Sequence, residues 1–383
     1  METKKGRDLK EREAPIVRYL HAKAAKNETC ASATFEITSR CNFNCKMCYV
    51  HNSDCNARAH EELSVAQWTE IARQAAEAGI MFVLITGGEP LIRPDFAEIY
   101  TMLIKTGFVV SLNSNLSLIT PAHLALFRQY PPNRINASLY GVSDETYAEL
   151  CGVPAFGKVS SAIEELRKIG VPVKINSSVT PFNCRDFEGI HDYCRQKDLV
   201  LATASYMFPA ARLGDNKERL TPEDAALYRV KGDAIELSRE DFLARAEKVE
   251  KGSEYIRSGD CIDPRIKNCG VQCRAGTSSV WVDYKGNLSM CGMVPAGQNM
   301  NVLQNGFDAC CRAIREKVKA IVLPHKCTEC AYRYLCNVCA AACFSETGEF
   351  GKVPDYICRM SAATAEYFAQ YAQKIKAGET NEG

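Results

Sequence analysis

Three cysteines, Cys41, Cys45 and Cys48, stand three and two residues apart in the run Cys41-Asn42-Phe43-Asn44-Cys45-Lys46-Met47-Cys48. Thiolates are soft ligands suited to zinc and to iron-sulfur clusters. Three of them on one short loop can hold one face of a cluster but cannot complete its coordination. A centre with an open position takes a substrate or cofactor there, unlike a structural zinc site closed by four protein ligands. Two plainer readings stand beside this one: a zinc knuckle finished by a distant ligand such as His51 or Cys55, or redox-inert packing cysteines. The spacing matches none of the usual two-plus-two zinc patterns. The run follows the extended stretch Ala33-Thr34-Phe35-Glu36-Ile37, which places the thiols on the loop leaving a first strand.

A second motif lies one helix and one strand later. Gly87-Gly88-Glu89-Pro90 follows the strand pattern Met81-Phe82-Val83-Leu84-Ile85-Thr86. Two glycines let a backbone approach a ligand closely, and their carbonyls can accept from an ammonium group. Together, C-x3-C-x2-C after a first strand and a Gly-Gly-Glu-Pro turn after the next resemble the radical S-adenosylmethionine (radical SAM) superfamily. The resemblance implies that Cys41, Cys45 and Cys48 bind a four-iron [4Fe-4S] cluster whose fourth iron SAM chelates, and that Gly87, Gly88, Glu89 and Pro90 border the methionine moiety. The family usually has an aromatic residue before the third cysteine, near adenine; this chain has Met47, which can also pack on a purine face.

The elements that must position these residues repeat as a unit. Ser64 with Gln67 is a capping-box start, Val65, Trp68, Ile71, Ala72 and Ala75 recur at helical spacing, and Gly79 stops that helix. Pro94-Asp95 opens a helix whose Phe96, Ile99, Tyr100 and Leu103 share a face, ended at Gly107. Further strand patterns follow at 108–112, 134–139, 172–179 and 199–206, with helices at 121–127, along Val159, Ile163, Leu166 and Ile169, and at 186–197. Six strand-helix units predict an α/β fold, a parallel sheet with right-handed crossovers closed into a partial (β/α)6 TIM-like barrel. The resemblance implies the same six-unit form. Chemistry in such folds gathers at the C-terminal strand ends. By analogy with polar groups at matching family positions, Asn113, Ser114 and Asn115 after the third strand, Ser138 ending the fourth, and Asn176, Ser177 and Ser178 on the fifth are candidate SAM contacts. Their plainer reading is that they satisfy loop backbone groups.

Of the 20 cysteines, twelve lie from Cys261 to Cys358. Cys269 and Cys273 precede the hairpin pattern Val280-Trp281-Val282-Asp283, the turn Lys285-Gly286-Asn287 and the return to Cys291; then come Cys327, Cys330, Cys336, Cys339, Cys343 and Cys358. Eight or more thiolates can fill two four-thiolate shells. The pattern resembles the SPASM extension of radical SAM enzymes. By that resemblance Cys327, Cys330, Cys336 and Cys358 hold one auxiliary [4Fe-4S] cluster, and Cys273 and Cys291 with Cys339 or Cys343 hold another nearer the barrel, three clusters in all. The family spacing after Cys336 falls on Ala340, with thiols on either side, and the role of Cys269 is open. Zinc is the alternative occupant of the same thiols. Cys30, Cys55, Cys261, Cys310 and Cys311 fall outside the pattern and read as small hydrophobes.

The organisation expected is an N-terminal extension (1–30), a radical SAM partial barrel (31–210), a charged helical connector opened by Thr221-Pro222 (211–260), a small cysteine-rich SPASM domain (261–360), and a C-terminal helix and tail (361–383) with Tyr367, Phe368, Tyr371 and Ile375 on one face. The 383 residues carry 47 basic and 46 acidic side chains, a formal charge of +1, without a basic block, so no nucleic-acid partner is indicated. No membrane span or signal segment is visible, and reduced thiols in a large chain fit a cytoplasmic protein. The resemblance implies reductive cleavage of SAM to a 5′-deoxyadenosyl radical, an electron donor such as a flavodoxin or ferredoxin, and hydrogen abstraction from a peptide or protein, as in maturases of ribosomal peptides. The stretch before the first strand is too short for the leader-binding domain of many such maturases, so a separate protein would present the peptide or the barrel would bind it directly. Sulfatase maturation, a small-molecule or tetrapyrrole substrate, and a non-catalytic iron-sulfur or zinc scaffold are the alternatives. No catalytic acid or base is identifiable.

Overall fold

The computed structural model describes residues 14–48, 59–209, 218–257, 270–271, 273–328, 330–333, 335–336 and 339–378. Its frame is a run of parallel strands, β1 (Ser32–Glu36), β2 (Phe82–Thr86), β3 (Val109–Ser114), β4 (Arg134–Ser138), β5 (Val173–Ser178) and β6 (Val200–Ala204), each hydrogen-bonded to the next in chain order. The intervening helices are α2 (Val65–Glu77), α3 (Phe96–Thr106), α4 (Pro121–Gln129), α5 (Asp144–Cys151), α6 (Phe156–Lys168) and α7 (Phe187–Gln196), preceded by α1 (Pro15–Lys26). This is the six-unit partial barrel expected from the periodicity.

Alternate residues of each strand face opposite sides. Ala33, Phe35, Ile37, Val83, Ile85, Val110, Leu112, Ile135, Ala137 and Ile175 are buried on the outer face beneath the helices, where Phe35 packs on Trp68 of α2 at 5.3 Å between ring centroids. Register puts Glu36, Thr86, Asn113, Asn136, Ser138 and Asn176 on the other face. A parallel sheet buried in apolar layers on both sides would be apolar on both. The polar inner row therefore marks a working chamber.

Three features depart from the expectation. Asn113 and Ser114 lie within β3 rather than after it, because the ladder continues to Asn136 and Ala137 of β4. The hairpin β7 (Ser279–Val282) and β8 (Leu288–Ser289) does not stand apart with the thiols: β7 pairs in parallel with β1, giving an eight-stranded sheet in the order β6-β5-β4-β3-β2-β1-β7-β8. An extra helix, α5, sits in the β4 to α6 crossover, capped by Ser143 and stopped by Gly152 in the left-handed region at φ 78°.

Beyond β6 the longer helices are α8 (Pro222–Glu236), α9 (Arg239–Arg257), α10 (Phe307–Lys319), α11 (Ala340–Thr347) and α12 (Asp355–Ala377). The charged connector read as a solvated bridge has a buried side, with Ala225, Ala226 and Val230 buried where α12 lies against α8. Phe242 of α9 packs on Phe368 of α12 at 5.5 Å. Among the described residues no helix is long and apolar enough to cross a membrane.

Candidate functional site

The thiol loop leaving β1 is fixed from two sides. Its base is locked to the turn after β2: Gly88 N donates to Thr38 O at 2.9 Å and Glu89 N to Arg40 O at 2.7 Å. A Cβ on Gly87 would lie 2.5 Å from Thr38 O, and one on Gly88 2.2 Å from Arg40 O. The glycines were read as room for a ligand; the structure shows that they first allow one loop to seat on the other. The far side hangs on the end of α5, through Asn44 N to Cys151 O at 2.9 Å and Lys46 N to Leu150 O at 3.0 Å. Below, Glu62 accepts from Arg40 at 2.8 Å, and Arg93, itself buried, donates to Ile37 O and Leu63 O while pairing with Asp95 at 2.7 Å.

Glu89 is fully buried and ties this ledge to β3, accepting from Ser114 Oγ at 2.8 Å, Asn115 N at 2.7 Å and Leu91 N at 3.1 Å. Asn115 Nδ2 in turn donates to Asn42 Oδ1 at 3.0 Å and reaches Cys41 Sγ at 3.9 Å. The exits of β1, β2 and β3 thus form one hydrogen-bonded unit, with Pro90 opening a 3-10 turn behind Glu89. Met47 and Phe43 are buried in the apolar core. Asn136 Nδ2 donates to Asn113 Oδ1 at 2.8 Å. Ser138 bonds the Tyr140 hydroxyl, whose pKa burial drives well above the ordinary value, with Cys45 and Cys48 adding to the rise. Asn176 is exposed opposite Ser138 across β4 and β5. Tyr140 was missed by sequence reasoning; its place two residues beyond Ser138 was the available signal.

Burial pushes the Cys41 thiol far up, and Glu89, Cys45 and Cys48 add to the rise, so a thiolate there requires a cation. The chemistry of the donors fits a cluster: three soft sulfurs on a pre-formed ledge, near enough to repel one another as anions and short of a complete shell. Among the described residues no three His, Cys, Asp or Glu side chains come together as a site for a single metal ion. His51, Cys55, Cys261 and Cys269 lie outside the described residues.

Seven of the C-terminal thiols fall into two electrostatic groups, and Cys343 feels members of both. Cys327, raised to about 11 chiefly by burial, feels Cys336, Cys358 and Cys330, and Cys358 feels Cys336 and Cys330. Cys273 and Cys291 each feel Cys339; Cys291 is pushed to about 11, again chiefly by burial. Cys343 is fully buried within α11, raised to about 12 by burial with Cys327 and Cys339 contributing. A cavity of about 480 Å³ opens between the end of β6 and this region, lined by Tyr206, Cys327, Cys336, Cys339 and Cys358 among others. Its wall is braced by Arg219, which pairs with Glu346 at 2.5 Å and lies over the Tyr356 ring. Cys30, Cys310 and Cys311 are buried in the core.

Two buried carboxylates make a pH prediction. Burial raises Glu36 and Glu89 to about 7 from the ordinary carboxylate value of 4.5. A folded-state pKa above the unfolded one means that the folded state binds more protons, so stability is highest below about 4.5 and falls as pH rises through about 7. Each group contributes at most about 1.4 kcal/mol per pH unit. Urea unfolding of the cluster-free protein should show this fall, and the difference between wild type and Glu36→Gln should isolate one group's share. Equal slopes would contradict the assignment.

An open parallel barrel that gathers thiols and a glycine turn at the C-terminal ends of its strands defines the scaffold of an enzyme. A family model described as the radical SAM superfamily matches residues 35–194. The chain is 26% identical over 335 residues to the AdoMet-dependent heme synthase of Methanosarcina barkeri (strain Fusaro / DSM 804), covering 82% of this chain and 93% of that protein. It is 29% identical over 215 residues to a probable GTP 3',8-cyclase of Methanothermobacter thermautotrophicus, covering 54% and 69%. Among solved structures, Streptococcus suis SuiB bound to S-adenosylmethionine aligns with a TM-score of 0.59 at 16% identity over 90% of this chain and 79% of that one. Native anSMEcpe with bound AdoMet aligns with a TM-score of 0.63 at 18% identity over 91% and 100%. Residues 35–194 thus match the radical SAM superfamily, on the fold shared with these solved structures.

Proposed function

We propose that this enzyme abstracts hydrogen from a peptide or protein substrate, with Cys41, Cys45 and Cys48 holding the [4Fe-4S] cluster that SAM completes. Bound there, the cluster supplies the electron that splits the sulfonium of SAM. The chain's own residues do the rest. Gly87 to Pro90 and Asn115 fix the ledge on which SAM lies, and Asn113, Ser138 and Asn176 offer polar contacts along the inner face. Two auxiliary clusters are assigned to Cys327, Cys330, Cys336 and Cys358, and to Cys273, Cys291 and Cys339. Cys339 is preferred over Cys343 because both Cys273 and Cys291 feel it. A flavodoxin or ferredoxin in a reducing cytoplasm would feed electrons to the first cluster.

One observation carries the peptide reading. Among the described residues β6 has no strand on its outer side. Val179 N donates to Ala204 O at 2.8 Å, so Ala204 faces β5. Backbone groups alternate sides along a strand, so exposed Thr203 turns its N–H and C=O to the free edge, beside the thiol-lined cavity. An extended peptide can add there as a strand while projecting a side chain inward. A second reading, a tetrapyrrole substrate, rests on the heme synthases of Methanosarcina barkeri and Nitratidesulfovibrio vulgaris, matched over 93% and 90% of their lengths.

The test is incubation of the reconstituted enzyme with the short peptide or protein encoded beside its gene. The expected result is a product lighter by hydrogen atoms and substrate-dependent 5′-deoxyadenosine. Thr203→Pro, which removes the outward N–H, should raise KM for that peptide roughly tenfold, the value of one hydrogen bond, with less effect on kcat. No change in any peptide, with consumption of a tetrapyrrole, would favour the second reading.

A further inference from the structure

The inner face of β1 carries a carboxylate, Glu36, that lies outside the hydrogen-bonded unit of the thiol loop, the glycine turn and Asn115. Glu36 is 8% exposed. Phe35 and Ile37 turn to the outer helices, so Glu36 turns to the chamber. In the ladder it stands beside Thr86, the residue before Gly87, one residue below the turn assigned to SAM. Its hydrogen bond comes from the Trp281 indole of β7, Nε1 to Oε2 at 2.9 Å. The Trp281 ring is seated against Gly292, where an added Cβ would meet the ring at 2.8 Å.

The charged neighbour bearing on Glu36 is another carboxylate, Asp283 at the end of β7, itself accepting from the N–H groups of Lys285 and Asn287. The flanking Thr86 is uncharged, and among the described residues no lysine, arginine or histidine pairs with Glu36. Burial raises its pKa to about 7, the indole bond lowers it and Asp283 raises it again. A buried carboxylate with one neutral donor and no cation is costly as an anion. An acceptor for an indole needs no ionisable group, whereas a group able to exchange protons near neutral pH does.

We propose that Glu36 is an acid–base group of the reaction chamber, positioned by Trp281, and that the substrate presents to it a proton on nitrogen, oxygen or sulfur. Ionised, Glu36 takes that proton: the O–H bond forms on its carboxylate, the substrate's X–H bond breaks, and the electron pair stays on X. Protonated, it returns the proton. The proposal rests on the radical SAM reading but is tested separately from it.

Trp68 and Trp281 are the two tryptophans of the chain. In reconstituted Trp68→Phe enzyme, Trp281 emission should titrate with a midpoint near 7. Glu36→Gln, which keeps an acceptor for the indole, should abolish that titration. Adding SAM, whose sulfonium carries a positive charge, should lower the midpoint by roughly half a unit or more, while uncharged S-adenosylhomocysteine should move it far less. Should Trp68→Phe fail to fold, the difference between wild type and Glu36→Gln in the two-tryptophan protein reads the same signal. A titration that survives Glu36→Gln, or a midpoint unmoved when equilibrium dialysis shows SAM bound, overturns the proposal. Failure to bind SAM at all overturns the parent reading, and this one with it.

Discussion

Replacing Cys45 with alanine is expected to abolish SAM cleavage, a loss of at least roughly 10³-fold, because on the proposed assignment the three thiolates act as a unit and two would not hold the cluster. With the two proposed auxiliary clusters intact, iron content should fall by about a third, four irons of about twelve. The fold should survive, since Cys45 is half-buried and the loop keeps its backbone bonds from Asn44 and Lys46 to α5. Cys184→Ala, at another half-buried thiol before α7, is the control and should retain cleavage and iron. A Cys45→Ala enzyme with full iron and full cleavage would remove the thiol loop from the chemistry.

Gly88→Ala should be the most damaging single-methyl change in the barrel. Its Cβ would lie 2.2 Å from Arg40 O, 2.6 Å from Arg40 C and 2.7 Å from Ser39 O, all backbone atoms that no side-chain rotation can clear. The two loops must part, breaking Gly88 N to Thr38 O and Glu89 N to Arg40 O. We expect a loss of about 3 kcal/mol or more by urea unfolding, with SAM affinity lost in parallel. Gly79→Ala separates close approach from backbone preference: at φ 89° with nothing within 4 Å of the added Cβ, it should cost only about 1 kcal/mol and leave SAM binding intact. Equal costs at the two positions would contradict the seating of one loop on the other.

What could be read from the residues alone was what local periodicity encodes. Phe35 alternating with Thr34 and Glu36, and Trp68, Ile71, Ala72 and Ala75 at helical spacing, specify strand and helix wherever they occur, and six repeats specify the barrel. The three thiols and the glycine turn were legible for the same reason, because each is a short run at a strand exit. What escaped is non-local. Nothing near Trp281 shows that its strand will join β1, whose Glu36 it meets across 245 residues. The buried role of Glu89 depends on Ser114 and Asn115 arriving from another strand. The helix α5 did carry local marks, Ser143 and Gly152, but the regular strand-helix alternation left no place for a second helix before α6.

The most direct test of the account is made on the full-length wild-type protein, reconstituted anaerobically, analysed for iron, sulfide and zinc, then reduced with SAM present. The account predicts about twelve irons with matching sulfide, and release of methionine and 5′-deoxyadenosine. Zinc in place of iron, no sulfide, and SAM recovered intact would contradict it.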